Sequence, residues 1–416
     1  MSAKAPPPSN SASTVSIGGL ELPVAIAGMP RANPYMDMDD YDPEGDLLSM
    51  NLGPQHPSTH GVLRVKLWMD GEVCVKAVPY LGYLHRGVEK LCEKLTYVQI
   101  TPIVDKNDYV APMTNELAIN MAFEKLIDAP VPPRAQVMRT INAELQRIAS
   151  HLLSVGTWCL DMGGALGGGA SAFLYTFRER ELILDVFEEL TGCRFHYNHH
   201  TVGGLRHDIP DGWQDLVKGT LNVIEGRIGE YRAMLDENHV FKARTVGVGV
   251  LDPVLAMELG ISGPNLRASG VDHDLRRDAP YAAYDRVDVR VPTASEGDCY
   301  ARYQVRMAEL EESIRIVRCL IDDIPDGPIC GLKAVKLPGS VKAKGPCEVY
   351  SAIESPRGEL GTWVLGQKGP HPYRLKIRPP SLHAVAALPW LCPGNNLSDV
   401  VVVLGSLDPI LGEVDR

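Results

Sequence analysis

No stretch of this chain has the length and apolarity of a bilayer span. The longest uncharged stretch near the middle, residues 162–177, has 16 residues and is rich in glycine, whereas a span needs about 20 mostly apolar residues. The opening MSAKAPPPSNSASTVS holds a single Lys and no apolar core, so it reads as a solvated tail rather than a secretory signal. These absences place the protein in the cytoplasm or on its face of a membrane. Short-spaced cysteines are also missing: the nine stand at 74, 92, 159, 193, 299, 319, 330, 347 and 392, with no CxxC. An odd, scattered set argues for reduced thiols against a disulfide framework. It also argues against a zinc or iron–sulfur site built from this chain alone. Excess positive charge is absent too, with 41 Lys and Arg against 52 Asp and Glu and a net charge of −11, which disfavours nucleic acid as a partner.

The 416 residues, 45% hydrophobic and 22% charged, suffice for two or three packed units with sizeable cores and exclude disorder and fibre. Residues 63–69 alternate apolar and mixed side chains, Asp70-Gly71 supplies a turn, and Val73, Val75 and Ala77 resume the alternation, which predicts a β-hairpin. The preceding residues 53–61 hold two prolines and two glycines, so His56 and His60 are expected on a shaped loop. Beyond Gly87 the spacing turns helical. Leu117, Met121, Ala122, Lys125 and Leu126 form one stripe, and Val137, Ile141, Leu145, Ile148, Leu152 and Val155 form another after Pro132-Pro133. Further helices are expected over 178–190, 213–235 and 300–321, then a Pro-rich mixed segment with an apolar run at 400–404. The fold class is therefore α+β, mainly α: a tail at 1–45, a small β unit at 46–86, a long-helix bundle at 87–328 and a mixed α+β segment at 329–416.

Several residues invite a chemical reading. Asp161 ends the second long helix among bulky apolar side chains, where burial and the helix dipole favour its neutral form unless a cation is close. His60 is one such partner; the plainer reading is that Asp161 only starts the turn into the following glycines. Residues 163–170 contain five glycines but lie between helices without a following Lys-Ser/Thr, so close backbone packing is expected rather than phosphate binding. His196, His199 and His200 cluster without metal-ligand spacing, which favours hydrogen-bonding roles in a polar interface. Tyr109, between a carboxylate and apolar Val110-Ala111, reads on its own as a core tyrosine with a satisfied hydroxyl.

Taken together, the segments GPQHPSTHGVLRV from Gly53, LHRGVEKL from Leu84, NDYVAPMTNE from Asn107, GVGVLDP from Gly247 and GPNLRASGVDHDLR from Gly263 carry a resemblance. It continues through GDCYARYQVRM from Gly297, GELGTWVLG from Gly358, RPPSLHAVAALP from Arg378 and the C-terminal GSLDPILGEVDR. Over nearly its full length the chain resembles the D-type subunits of the bacterial proton-pumping NADH:quinone oxidoreductase, respiratory complex I. That family is in turn similar to the large subunits of nickel–iron hydrogenases, which hold their metal with two CxxC pairs. By motif position those pairs fall here on Asp108 and Ala111 and on Ile410 and Glu413. Without soft ligands no nickel is expected.

The resemblance implies that the vacated cavity receives a quinone headgroup, ubiquinone or menaquinone, hydrogen-bonded by His60 and Tyr109. Asp161 would pair with His60 and hold it protonated, and His56 would be structural. Electrons would come from a 4Fe-4S cluster in a neighbouring small iron–sulfur protein of B type, with Arg86 and His196 close to it. Other implied partners are the C-type subunit and the H-type membrane protein that forms the quinone channel, with NAD bound elsewhere in the complex. The implied position is peripheral, on the cytoplasmic face of the bacterial membrane, and quinone reduction is coupled to proton translocation. The chain departs from the family pattern at His199-His200-Thr201-Val202-Gly203-Gly204, where Tyr-x-Arg-Pro-Gly-Gly is usual. It also departs in a Gly-rich stretch about five residues longer after Asp161, so a different cavity wall is expected there. Two other readings stand beside this one: a metal-dependent hydrogenase-type subunit, and a scaffold whose neighbours carry the chemistry.

Overall fold

A computed structural model describes residues 14–17, 20–23, 47–163, 169–332 and 339–416. The chain divides into two units, residues 1–45 and 46–416. In the first, β1 (Thr14–Ile17) and β2 (Leu20–Pro23) form an antiparallel ribbon, with Ile17 opposite Leu20.

The second unit opens with a sheet of order β3 (Leu48–Leu52), β4 (Arg64–Asp70), β5 (Val73–Tyr80), all antiparallel. The expected hairpin is β4–β5, turning at Gly71 with φ +58. Alternation buries Val65 and Leu67, and a register shift between Trp68 and Met69 then buries both of these, as a bulge does when it adds one residue to one strand. Strand β3 carries no clear alternation and was not expected.

Helices α1 (Val88–Cys92) and α2 (Tyr97–Val104) follow, the latter opened by a Thr96/Gln99 capping box. Next come α3 (Pro112–Ile127) and the 29-residue α4 (Pro133–Asp161), each starting on a proline whose missing N–H costs nothing in a first turn. α4 is the axis of the bundle. α5 (Gly169–Thr191) packs along it, beginning nine residues before the expected start at Arg178. Gly156 of α4 permits the approach, since a Cβ there would lie 2.2 Å from the Thr176 hydroxyl and 3.3 Å from the Phe173 Cα. Most of the Gly-rich segment after Asp161, residues 164–168, lies outside the described residues.

The two-residue strands β6 (His200–Thr201) and β7 (Gly204–Leu205) form a tight hairpin. Arg139 holds it by donating to the Thr201 and Gly204 carbonyls, and Glu124 accepts from the Gly203 N–H. The chain continues through α6 (Trp213–Asp236), α7 (His239–Thr245), α8 (Pro253–Glu258), α9 (Pro264–Arg267) and α10 (Leu275–Asp278) to α11 (Cys299–Ile321). The C-terminal segment is a meander of β8 (Cys347–Ser355), β9 (Gly358–Gly366) and β10 (Pro372–Arg378). It ends in α12 (Pro380–Ala386), α13 (Leu388–Leu391), α14 (Leu397–Ser406) and α15 (Leu411–Asp415).

The faces of α4 and α11 away from their apolar stripes are also buried, and they carry charge. Arg276 pairs with Asp274 at 2.7 Å and with Glu144 at 3.2 Å, and Glu144 also accepts from Tyr284 and Ser313. Arg267 pairs with Glu309 at 2.7 Å and Glu354 at 2.8 Å, and Glu309 also meets His151 at 2.9 Å. The GPNLRASGVDHDLR motif thus supplies cations that join α4, α11 and β8 in one buried network. Removing one member of such a network strands the others without compensation.

Candidate functional site

His60 stands at the end of a one-turn 3-10 helix, Pro57–Thr59, in the link between β3 and β4. The Thr59 hydroxyl donates to the carbonyls of His56 at 2.7 Å and Gly61 at 2.8 Å. The His56 ring accepts from the Ser58 N–H at 3.3 Å, capping the turn. These bonds hold His60 in the left-handed region, φ +53 and ψ +31, a conformation an L residue keeps only when its surroundings impose it. His60 Nε2 meets Asp161 Oδ2, at the last residue of α4, at 2.5 Å.

Burial alone would lower the His60 pKa. The Asp161 hydrogen bond and the charges of Asp161 and Asp408 outweigh it, so the pKa is raised. Burial likewise raises Asp161 against the pull of His60 and His56. Both shifts favour retention of a proton between the two groups at neutral pH. α14 closes over the pair: a Cβ on Gly405 would fall 2.5 Å from Asp161 Oδ2, 2.6 Å from Trp158 Cδ1 and 3.1 Å from His60 Nε2. The Trp158 indole N–H donates to the Val402 carbonyl at 2.8 Å and fixes this approach. We expect Gly405→Ala to displace the pair and reduce any activity that needs its geometry by on the order of 10²-fold. Turnover of the assembled complex checks this; an unchanged rate would show that the contact is dispensable.

Tyr109 is held by the turn that starts α3. Asp108 Oδ1 accepts from the N–H groups of Val110 at 3.0 Å and Ala111 at 3.1 Å. Its other oxygen receives Arg357 Nη1 at 2.6 Å. Arg357 Nε also donates to the Asp408 carbonyl at 3.2 Å. α15 packs on the same turn through Gly412, where a Cβ would lie 2.6 Å from the Asn107 carbonyl and 3.4 Å from the Tyr109 ring. The two segments that the hydrogenase resemblance aligns with thiolate pairs therefore do meet. Neither segment offers a soft ligand, and Asp108 of the first is engaged by Arg357 from the link between β8 and β9, an arrangement that does not suit nickel. Burial raises the Tyr109 pKa while Arg357 pulls it down. Glu413 is pushed up to about 7, chiefly by burial and then by the charge of Asp108. Arg357→Met would leave the Asp108 carboxylate buried and unpaired, at a cost of about 3–5 kcal/mol. Thermal unfolding of the complex reads that loss, and unaltered stability would contradict it.

His60, Tyr109 and Asp161 all line one cavity of about 330 Å³, with Arg357 and Asp408 and with apolar Val110, Leu153 and Ile410 among the walls. Arg86 and His196 do not line it. They lie near each other: Arg86 Nη2 donates to Asn107 Oδ1 at 2.9 Å, and its charge lowers the His196 pKa after burial and Lys106. His199 and His200 are buried. The Thr201-Val202 departure sits in the β6–β7 hairpin and not among the lining residues. Among the described residues no group of three or more His, Cys, Asp or Glu is arranged to hold a metal ion. No described helix is long and apolar enough to cross a membrane.

The model of the respiratory-chain NADH dehydrogenase 49 Kd subunit family matches residues 167–345 and 337–416. The chain belongs to that family. A D-type NADH-quinone oxidoreductase subunit of Rhizobium etli, the one numbered 2, is 45% identical over 400 residues, covering 90% of this chain and 98% of the relative. The D-type subunit of Geobacillus thermodenitrificans is 46% identical over 367 residues, covering 88% and 98%. Among solved structures, a chain of the membrane-bound sulfane sulfur reductase, an archaeal respiratory membrane complex, superposes with a TM-score of 0.85 at 34% identity, covering 90% of this chain and all of that one. As a member of the 49 Kd family, the protein is one component of a multi-subunit respiratory oxidoreductase. Two residues of this family member were not singled out from its sequence: Arg357 lines the cavity, and Gly405 lies against the His60–Asp161 pair.

Proposed function

We propose that the cavity receives the headgroup of a quinone and that His60 and Tyr109 supply the protons for its reduction to quinol. The observation that carries this reading is the convergence of a carboxylate-paired imidazole and a phenol on one cavity with partly apolar walls. Reduction adds two electrons and two protons, so both carbonyl oxygens need donors where negative charge develops. His60 gives one proton and leaves the Asp161 carboxylate uncompensated; Tyr109 gives the other, its phenolate stabilised by Arg357. The electrons come from an iron–sulfur cluster of the neighbouring small B-type protein, which faces Arg86 and His196. This reaction drives proton translocation in a complex that also contains C-type and H-type subunits and binds NAD elsewhere. The chain lies on the cytoplasmic face of the membrane. Kinship to nickel–iron hydrogenase large subunits accounts for two meeting segments that no longer suit a metal.

A photoreactive quinone analogue tests the assignment. It is expected to label peptides containing Tyr109 or residues 153–161 in the assembled complex, with labelling suppressed by excess quinone. Labelling confined to other subunits would leave this chain a scaffold.

A further inference from the structure

Three sequence motifs that contribute nothing to the cavity lining meet on α14. Arg302 and Arg306 belong to GDCYARYQVRM on α11, Asn265 to GPNLRASGVDHDLR at α9, and Gly249 to GVGVLDP. They converge on the last turn of α14, the turn whose Gly405 abuts His60 and Asp161. A helix leaves its final carbonyls without intrahelical donors, and here Ser406 and Leu407 are buried. Arg306 Nη1 donates to the Ser406 carbonyl at 2.7 Å, and Asn265 Nδ2 donates to the Leu407 carbonyl at 3.1 Å. Asn265 Oδ1 accepts from Arg306 Nη2 at 3.0 Å, which ties the two donors together. Arg302 Nε donates to the Ser406 hydroxyl at 3.0 Å and its Nη2 to the Gly249 carbonyl at 2.9 Å. A Cβ on Gly249 would lie 2.5 Å from Val403 Cγ2, so the absent side chain lets α14 seat.

Arg306 is 3% exposed, and its described hydrogen bonds go to two backbone carbonyls and one amide oxygen, none of them charged. Burial pulls its pKa down to about 10 against the charges of Asp408 and Glu309, so the cation persists at neutral pH. Burying a cation on neutral oxygens is costly; what it secures is the negative end of α14. The turn so held has two sides. Gly405, just before Ser406, leaves room for Asp161 Oδ2 and His60 Nε2. Asp408, two residues after Ser406, is held at φ +54 and lines the cavity, and its charge helps to raise the His60 pKa.

We propose that Arg306 and Asn265 are positioning residues for quinone reduction: by holding the Ser406 and Leu407 carbonyls they fix Gly405 and Asp408 relative to His60, and so keep the His60–Asp161 pair in its proton-giving geometry. Neither residue lines the cavity, so both act through α14. The inference rests on the quinone reading of that cavity. The charges facing His60 are Asp161 at the end of α4 and Asp408 after α14, with His56 acting on Asp161 and with Tyr109 and Arg357 on the same cavity. Loosening the turn lets the His60 pKa relax from its raised value toward that of an ordinary imidazole.

Arg306→Lys and Asn265→Ala test it in the assembled complex, because both keep the net charge. A lysine ammonium cannot reproduce the fork that spans the Ser406 carbonyl and Asn265, and alanine leaves the Leu407 carbonyl without its donor. Quinone reductase turnover at neutral pH is expected to fall by on the order of 10²-fold in each, with electron transfer from NADH to artificial acceptors retained. The loss of activity at high pH should also begin at lower pH than in the parent, a shift that lowered stability alone does not produce. Adding either substitution to Asp161→Asn should cost little beyond Asp161→Asn itself, since both act on one pair. Unchanged turnover, an unshifted pH profile, or losses that multiply with that of Asp161→Asn would overturn the positioning role and leave the quinone reading standing. An unimpaired Asp161→Asn would overturn both. Either variant decides the matter if the other fails to assemble.

Discussion

Tyr109→Phe in the assembled complex is expected to lower quinone reductase turnover by about 10²–10³-fold, the usual cost of removing one donor at a developing negative charge. Electron transfer from NADH to artificial acceptors should persist, because in the proposed reaction the phenol acts only at the last step. The ring packs beside Gly412 and its loop is held through Asp108 and Arg357, so loss of the hydroxyl leaves the architecture in place. Parallel assays with quinone and with an artificial acceptor check this. Equal losses in both would indicate damaged assembly, and no loss in either would remove Tyr109 from the reaction.

The second large effect concerns His60 and Asp161. Asp161→Asn keeps the side-chain shape but removes the hydrogen bond to a carboxylate and the charge that raise the His60 pKa. Burial then acts with only Asp408 to oppose it, and the pKa falls. The sign of the pH effect follows: with the raised pKa, imidazolium is lost at a higher pH than in an ordinary histidine; in the variant the loss moves to lower pH. Quinone reductase activity should therefore decline at neutral pH in Asp161→Asn and recover on acidification. His60→Ala should impair the same step without that recovery. The double variant should be little worse than the more damaging single, since the two act as one unit. Multiplying losses would show that the pair is not a functional unit.

How far the fold is legible depends on the range of the contacts involved. The α4 stripe from Val137 to Val155 and the Pro132-Pro133 start placed a helix whose end at Asp161 was expected, because period and punctuation are local signals. The C-terminal meander was read only as mixed, since β8 buries Ile353, Glu354 and Ser355 in succession and so lacks a period of two. The loop of His60 was marked by its prolines and glycines, but the contact with Asp161 joins residues 101 apart in sequence and needs the fold to exist. Arg357 lies in the short link between β8 and β9, where a charged residue ordinarily faces solvent; here the guanidinium is buried on Asp108, at the turn that starts α3. Gly405 follows the apolar run at 400–404 and resembles an ordinary helix end. Only the close approach of α14 to Trp158 and Asp161 explains why a side chain there is costly.

The most direct test of the quinone assignment is a structure of the assembled complex with a short-chain quinone bound. The headgroup is expected in the cavity of about 330 Å³, with one carbonyl oxygen within hydrogen-bond distance of the Tyr109 hydroxyl and the other facing His60. A headgroup bound elsewhere, with Tyr109 and His60 uncontacted under turnover conditions, would contradict it.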